Sequence, residues 1–437
     1  MVAKRSIFAK ILSVFSTNLF IIGLTAVSGI LLPRLLNPMA LGRLNAYLAL
    51  AAIIYSITFL GMRSSLVMHL GKRKFSSDSV LIALRYIFLL STLLSTLTLV
   101  VFFFTVSKDQ YHADIILLVC LINPFAFIIS YMQGYNLAKE RIERFNRLKW
   151  LPALMNLSGI LVFVGLLRLH VKGALLATIL SNLITIFLYL KITQLKLPSF
   201  HRGKIPVKVI KSLIGFGSMY ALAFMATRLN HRIDILLMKR LSNLSEVGYY
   251  SLGANVAEIL WQIPIAVGII LMTRTASQKD QDKSTAEVCS SLRVSVLIVL
   301  AAALLLYLLA PWLVSLLFGE RYLPSVPVIR AILPGILFFV ILKILNSQFI
   351  GSGKPQLTLP ALIPSLILNI ILNLYFIPAY QGLGAAIATD ISYFTASFIL
   401  LLIYSRVFGI PMARIFRYQK QDFAFLRKIR LRKNLHI

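Results

Sequence analysis

The chain has 437 residues, 59% of them hydrophobic and only 14% charged, a balance far from that of a soluble domain of this size. Its 45 Lys and Arg against 14 Asp and Glu give a formal net charge of +31. The longest stretches without an apolar run, 191–211, 274–290 and 406–437, are too short and too basic to fold around a core, which excludes a hidden soluble enzymatic domain.

Apolar runs of about 20 residues, enough to cross a ~30 Å hydrocarbon core as helix, follow one another along the sequence. They predict an all-α polytopic membrane protein with about twelve transmembrane helices, at 11–32, 45–62, 80–106, 114–136, 149–167, 174–192, 213–238, 247–272, 291–314, 326–348, 356–377 and 383–405. The first run follows Lys4, Arg5 and Lys10 as a signal peptide would, but it is too long and further spans come after it. The second is open to extension as far as Leu70, and Pro152 and Gly159 interrupt the fifth.

The basic residues crowd into every second connection. Lys4, Arg5, Lys10, Arg63, Lys72, Arg73, Lys74, Arg85, the 139–149 and 191–211 segments, Arg274, Lys279, Lys283, Lys354 and the tail fall on one side. The other holds only Arg34, Arg43, Lys108, Arg168, Lys172, Lys239, Arg240 and Arg321. The positive-inside rule then places both termini in the cytoplasm and requires an even helix count. Distributed in this way, the charge orients the chain and meets anionic membrane lipids; it is not a nucleic-acid footprint. In the tail, basic residues interleave with Ile415, Phe416, Phe423, Phe425, Leu426 and Ile429, a pattern that suits an interfacial amphipathic segment.

An internal repeat organises the chain. Gly173-Ala-Leu-Leu-Ala-Thr178 recurs as Gly384-Ala-Ala-Ile-Ala-Thr389, each followed three residues later by a serine, Ser181 and Ser392. Leu36-Asn-Pro-Met-Ala-Leu-Gly-Arg-Leu44 finds a partner in Leu241-Ser-Asn-Leu-Ser-Glu-Val-Gly-Tyr249. Two six-helix lobes are expected, related by a pseudo-two-fold along the membrane normal with a substrate site between them. The expected boundaries are an N-terminal lobe over 1–195, a basic linker over 196–212, a C-terminal lobe over 213–405 and a basic tail over 406–437.

The same motifs carry a family resemblance. Leu31-Leu-Pro-Arg-Leu-Leu-Asn-Pro-Met-Ala-Leu-Gly42 resembles the first-span exit of the polysaccharide and O-antigen flippases. The match continues at Leu244-Ser-Glu-Val-Gly-Tyr-Tyr-Ser251 and at Leu368-Asn-Ile-Ile-Leu-Asn-Leu-Tyr-Phe-Ile-Pro378, which runs into Gly382-Leu-Gly-Ala-Ala-Ile-Ala-Thr389. In this order the motifs resemble the oligosaccharide-lipid flippases of the multidrug/oligosaccharidyl-lipid/polysaccharide exporter superfamily. The resemblance implies a transporter that moves a lipid-linked sugar, on an undecaprenyl diphosphate carrier, across the bacterial inner membrane by alternating access. It also implies that the first two helices of each half line the central cavity, and it leaves room for other polysaccharide assembly proteins as partners.

A diphosphate-sugar headgroup crosses hydrocarbon only where a protein offers compensating cations in a wet cavity. In the seventh span Arg228, His231 and Arg232 share a helical face by i, i+3 and i+4 spacing, with Asn230 and Asp234 to one side. Guanidinium groups match phosphate oxygens bidentately, so Arg228 and Arg232 lead the substrate-binding candidates. Arg34, Arg63, Arg330 and Lys343 follow, each also readable as an interfacial anchor. Glu258, about eleven residues into the eighth span, is a mid-bilayer carboxylate; with Asp234 and Asp390 it is a candidate to couple transport to a proton or sodium ion. Asp390 is expected to pair with Arg330. Two cysteines, and six histidines without H-x-x-x-H or H-E-x-x-H spacing, indicate neither a disulfide framework nor a metal site, and no cofactor is expected.

Two other function classes stand beside flipping. A multidrug exporter of the same superfamily would favour a carboxylate-rich, arginine-poor cavity, which Arg228 and Arg232 oppose. A membrane-embedded polymerase or ligase would need a long outer loop bearing catalytic groups, whereas the expected outer connections are only a few residues each.

Overall fold

Backbone polar groups in hydrocarbon have no partner but their own chain, so the apolar runs fold as helices. The computed structural model describes residues 7–71, 75–105, 113–139, 149–193, 206–278, 280–419 and 422. Within them eight helices are long and apolar enough to cross a membrane: Pro38–Gly71, Ser77–Thr105, Ala113–Ala138, His170–Lys191, Leu244–Ala276, Gln281–Phe318, Ser325–Gly351 and Pro355–Phe408. Phe20–Leu35 and Leu151–Leu166 are shorter apolar helices. The protein is a multi-pass, all-helical membrane protein among its described residues. Most of the basic segments 72–74, 139–149 and 191–211, with Lys4, Arg5, Lys108, Lys279 and the tail beyond Asp422, lie outside the described residues.

The chain forms two compact units, Met1–Arg228 and Leu229–Ile437. The first holds α1 (Ile7–Leu35), α2 (Pro38–Thr58), α3 (Met62–Gly71), α4 (Ser77–Thr105), α5 (Ala113–Ala138), α6 (Leu151–Gly159) with a π-helical continuation over Ile160–Leu166, and α7 (His170–Thr193). The next helix, α8 (Val207–Leu241), spans the division. Its first turns belong to the first unit because Ser65 of α3 donates to the Leu213 carbonyl at 2.8 Å and His69 meets the Ser212 hydroxyl at 2.9 Å. Phe59, Met62, Leu66, Ile87, Phe127 and Leu213 are buried together there. The second unit continues with α9 (Leu244–Glu258), α10 (Gln262–Ser277), α11 (Gln281–Phe318), α12 (Ser325–Gly351), α13 (Leu359–Phe408) and α14 (Met412–Phe416). Although α13 is continuous by hydrogen bonding, Gln381 has φ 52° and ψ −126°, so two arms meet there, over the stretches expected as the last two spans.

Each repeat has a structural cause. Asn37 caps α2 by accepting from the Ala40 amide at 2.8 Å, and Asn243 caps α9 by accepting from the Glu246 amide at 2.9 Å. Each cap is followed five residues on by a buried glycine, Gly42 or Gly248, so the true register of this repeat is one residue away from the one that aligns the leucines. Ser181 donates to the Pro152 carbonyl at 2.9 Å, and Ser392, at the matching place, donates to the Ser365 carbonyl at 3.0 Å. The repeated glycine lets one helix press on the backbone of the helix before it. A Cβ on Gly173 would stand 2.7 Å from the Phe163 oxygen, and one on Gly384 would stand 2.5 Å from the Phe376 carbonyl carbon. Gly173→Ala and Gly384→Ala are therefore expected to destabilise their units by about 1–3 kcal/mol each through overpacking. Gly29→Ala, which meets nothing within 4 Å, should not. Thermal unfolding of the purified protein in detergent measures the difference.

The beginning of the tail folds back onto the second unit. Arg293 of α11 donates from Nε and from a terminal nitrogen to the two Asp422 oxygens at 2.7 Å each, and from its other terminal nitrogen to the Ile415 carbonyl at 2.9 Å. Both side chains are buried, at 4% and 1% exposure, and the Gln419 amide also donates to Asp422 at 2.8 Å. The Arg293 guanidinium holds the Asp422 carboxyl down to about 2. A carboxyl depressed in this way contributes stability above its ordinary pKa near 4, and that contribution fades as pH falls through about 2. Asp422→Asn strands a buried guanidinium and is expected to cost about 3–5 kcal/mol at neutral pH. Its unfolding midpoint should approach that of the wild type as pH drops from about 5 toward about 2.

Candidate functional site

In the first unit, Arg63 and Arg228, 165 residues apart in sequence, are both within electrostatic reach of Tyr55. Leu60 and Gly61, both at positive φ, separate α2 from α3, which puts Arg63 in the first turn of the new helix. Arg63 borders an open cavity of about 390 Å³ with Ser64, Val67, Met68 and Phe216. The Arg63 and Arg228 guanidinium groups both act electrostatically on Tyr55, and Arg63 reaches Lys149 and Tyr189 as well. Tyr55 is fixed by a 2.7 Å hydrogen bond with Ser130 and by stacking on Phe59 and Phe127 at 4.9 and 5.1 Å. Arg228 is exposed and lies over the Phe224 ring at 5.2 Å. Arg34, the penultimate residue of α1, is exposed and stands apart from this group in chain order.

The second unit holds a polar seam in an apolar body. Asn230 and Asp234, one helical turn apart on α8, are 4% and 3% exposed, whereas His231 and Arg232 are half-buried. Asp234 accepts from the Tyr250 hydroxyl and, at 2.8 Å, from the Ile235 amide. Asn230 donates to Ser392 at 3.0 Å, and His231 Nδ1 meets the Tyr393 hydroxyl at 2.6 Å. Around the imidazole stand Trp261, Phe339 and Tyr393, with ring centroids at 4.8, 5.6 and 5.8 Å. Asn369 and Asn373 of α13 are fully buried and bonded to each other, and Asn369 Nδ2 and Asn373 Oδ1 have no hydrogen-bond partner.

The remaining candidates take different places. Glu258 is half-buried as the last residue of α9, just before a 3-10 turn over Ile259–Trp261, and within electrostatic reach of Tyr393. Lys343 sits over the Phe339 ring at 5.3 Å. Arg330 and Asp390 are not joined as expected. Arg330 donates to the Tyr307 carbonyl at 3.2 Å and covers the Tyr307 ring at 4.8 Å. Asp390 occupies a slot at Gly335, where a Cβ would come within 2.9 Å of its carboxyl carbon. The missing side chain of Gly335, five residues beyond Arg330, opens that slot and draws the carboxylate away.

Sequence reasoning did not single out Tyr250, Ser365, Tyr393, Asn369 or Asn373 as site residues. A signal existed in the i, i+4 spacing of Asn369 and Asn373 within an otherwise apolar run. No group of three or more His, Cys, Asp or Glu side chains suited to a metal occurs among the described residues.

The polysaccharide biosynthesis protein family matches residues 31–327. The chain belongs to that family. The resemblance read from the motifs, to the flippases of the multidrug/oligosaccharidyl-lipid/polysaccharide exporter superfamily, is borne out at this level. A Shigella flexneri protein assigned as an O-antigen transporter is 24% identical over 241 residues, covering 55% of this chain and 56% of that one. The chain spans about half the length of the curated relatives it matches. Among solved structures, the lipid II flippase MurJ in an inward closed conformation aligns with a TM-score of 0.71 at 14% identity, over 97% of this chain and 95% of that one. An inward-facing multidrug-resistance MATE family transporter aligns at 0.70 and 15% identity, over 88% and 94%. These likenesses establish the fold for this member of the family.

Proposed function

We propose that this protein flips a lipid-linked oligosaccharide, carried on undecaprenyl diphosphate, across the bacterial cytoplasmic membrane by alternating access, for surface polysaccharide biosynthesis. The electrostatic reach of Arg63 and Arg228 to a common Tyr55, with Arg63 lining an open cavity, supports this reading. A diphosphate needs two or more cations to leave water, and guanidinium forks meet its oxygens in pairs. Arg63 and Arg228 hold the diphosphate. Within the second unit Arg232, His231 and Lys343 are further candidate donors for substrate oxygens, while Arg34 and Arg330 act as interfacial anchors. Asp234 is the carboxylate best suited to hold a coupling proton or sodium ion, with Glu258 and Asp390 next. Both termini face the cytoplasm, as the distribution of basic residues requires.

The fold shared with MATE transporters favours a second reading, export of small organic cations, but paired arginines repel such cargo. The deciding experiment reconstitutes the protein in liposomes with a lipid-linked oligosaccharide of known structure and follows its access to an external probe. Headgroup transfer with the glycan unchanged supports flipping. No transfer of the glycolipid, with uptake of a cationic dye instead, would select the exporter.

A further inference from the structure

We propose that the 411–419 segment is a docking platform for the anionic phospholipid leaflet, built and charged by the buried Arg293–Asp422 clasp. The tail over 406–437 contains nine Lys and Arg and a single acidic residue, Asp422. That one carboxylate is withdrawn from the surface by the two 2.7 Å hydrogen bonds from Arg293. Among the described residues of the tail, the exposed charges are all basic. Ile415 is fully buried as the segment's apolar foot, while Arg414 and Arg417 are exposed and the Phe416 and Tyr418 rings are 39% and 45% exposed beside them. Arg406, at the end of the spanning helix α13, is exposed as well.

This chemistry fits a lipid headgroup layer better than free phosphate or nucleic acid. Guanidinium groups take phosphate oxygens, and exposed aromatic rings at the end of a spanning helix sit at headgroup depth, where one face is apolar and the other wet. The Met412–Phe416 helix is too short to persist unaided, so its geometry depends on the clasp. Lipid docking by this segment does not depend on the transported cargo.

Amide hydrogen exchange over 411–419 in lipid nanodiscs tests it, comparing discs of phosphatidylcholine with discs of equal parts phosphatidylcholine and phosphatidylglycerol. Exchange is expected to be about tenfold slower in the anionic discs, with the difference shrinking as salt is raised. Arg414→Gln with Arg417→Gln should remove most of that difference. Asp422→Asn should remove it too, because the segment is released. Equal exchange of the wild-type protein in the two kinds of disc overturns the proposal without reference to any variant. A full lipid-dependent difference in Asp422→Asn would overturn the role of the clasp.

Discussion

Replacing Arg63 and Arg228 together by alanine is expected to lower flipping of the lipid-linked sugar on the order of a hundredfold, with protein still present in the membrane. Each guanidinium removed takes away a charge-assisted hydrogen bond worth about 1.5–3 kcal/mol in a poorly solvated site. Neither side chain supports the core: Arg228 is exposed, and Arg63 borders the cavity rather than filling it. Lysine at both positions should restore only part of the rate, because an ammonium group keeps the charge but loses the fork. The measurement is the initial rate of glycolipid exposure in liposomes at matched protein content. Wild-type rates in the double alanine variant would reduce both residues to snorkelling anchors and remove the main support for an anionic cargo.

Asp234→Asn is expected to slow transport at least tenfold and to leave the residual rate indifferent to pH and sodium. Asp234 is 3% exposed, accepts from the Tyr250 hydroxyl and the Ile235 amide and lies within electrostatic reach of Arg232, so a bound proton or cation would relieve a buried charge that these groups only partly compensate. Asparagine matches its size and keeps a polar acceptor, so the unit should stay folded. Tyr250→Phe provides the complementary test: it removes one donor, costs about 1–3 kcal/mol of stability and should shift the ion dependence without abolishing it. Rates measured across pH, with and without sodium, separate these outcomes. An unchanged rate and unchanged ion dependence in Asp234→Asn would move the coupling role to Glu258 or Asp390.

Much of the architecture is legible in the chain because the bilayer allows so few solutions. An uncharged apolar run must become helix, and the Asn37 and Asn243 caps and the Gly173 and Gly384 contacts leave matching marks in the sequence because each performs one local task twice. The candidate site is only half legible by the same standard. Helical spacing put Arg228, His231 and Arg232 on one face, and that much needs only 3.6 residues per turn. Spacing says nothing about what stands across from the face, so Arg63 and Tyr55, 165 and 173 residues before Arg228, could not be joined to it.

The sequence by itself determined that this is a multi-pass helical membrane protein with an internal repeat, and it held the motifs of the family, because hydropathy, caps and close-packing glycines act over a few residues. Tertiary structure alone decided the rest. It put Asp390 at Gly335 instead of Arg330, matched Asp234 with Tyr250, and locked Arg293 onto Asp422 across 129 residues. The physical reason is that a charge in an apolar body takes whatever partner packing brings within hydrogen-bond reach, and that choice depends on how helices remote in sequence meet.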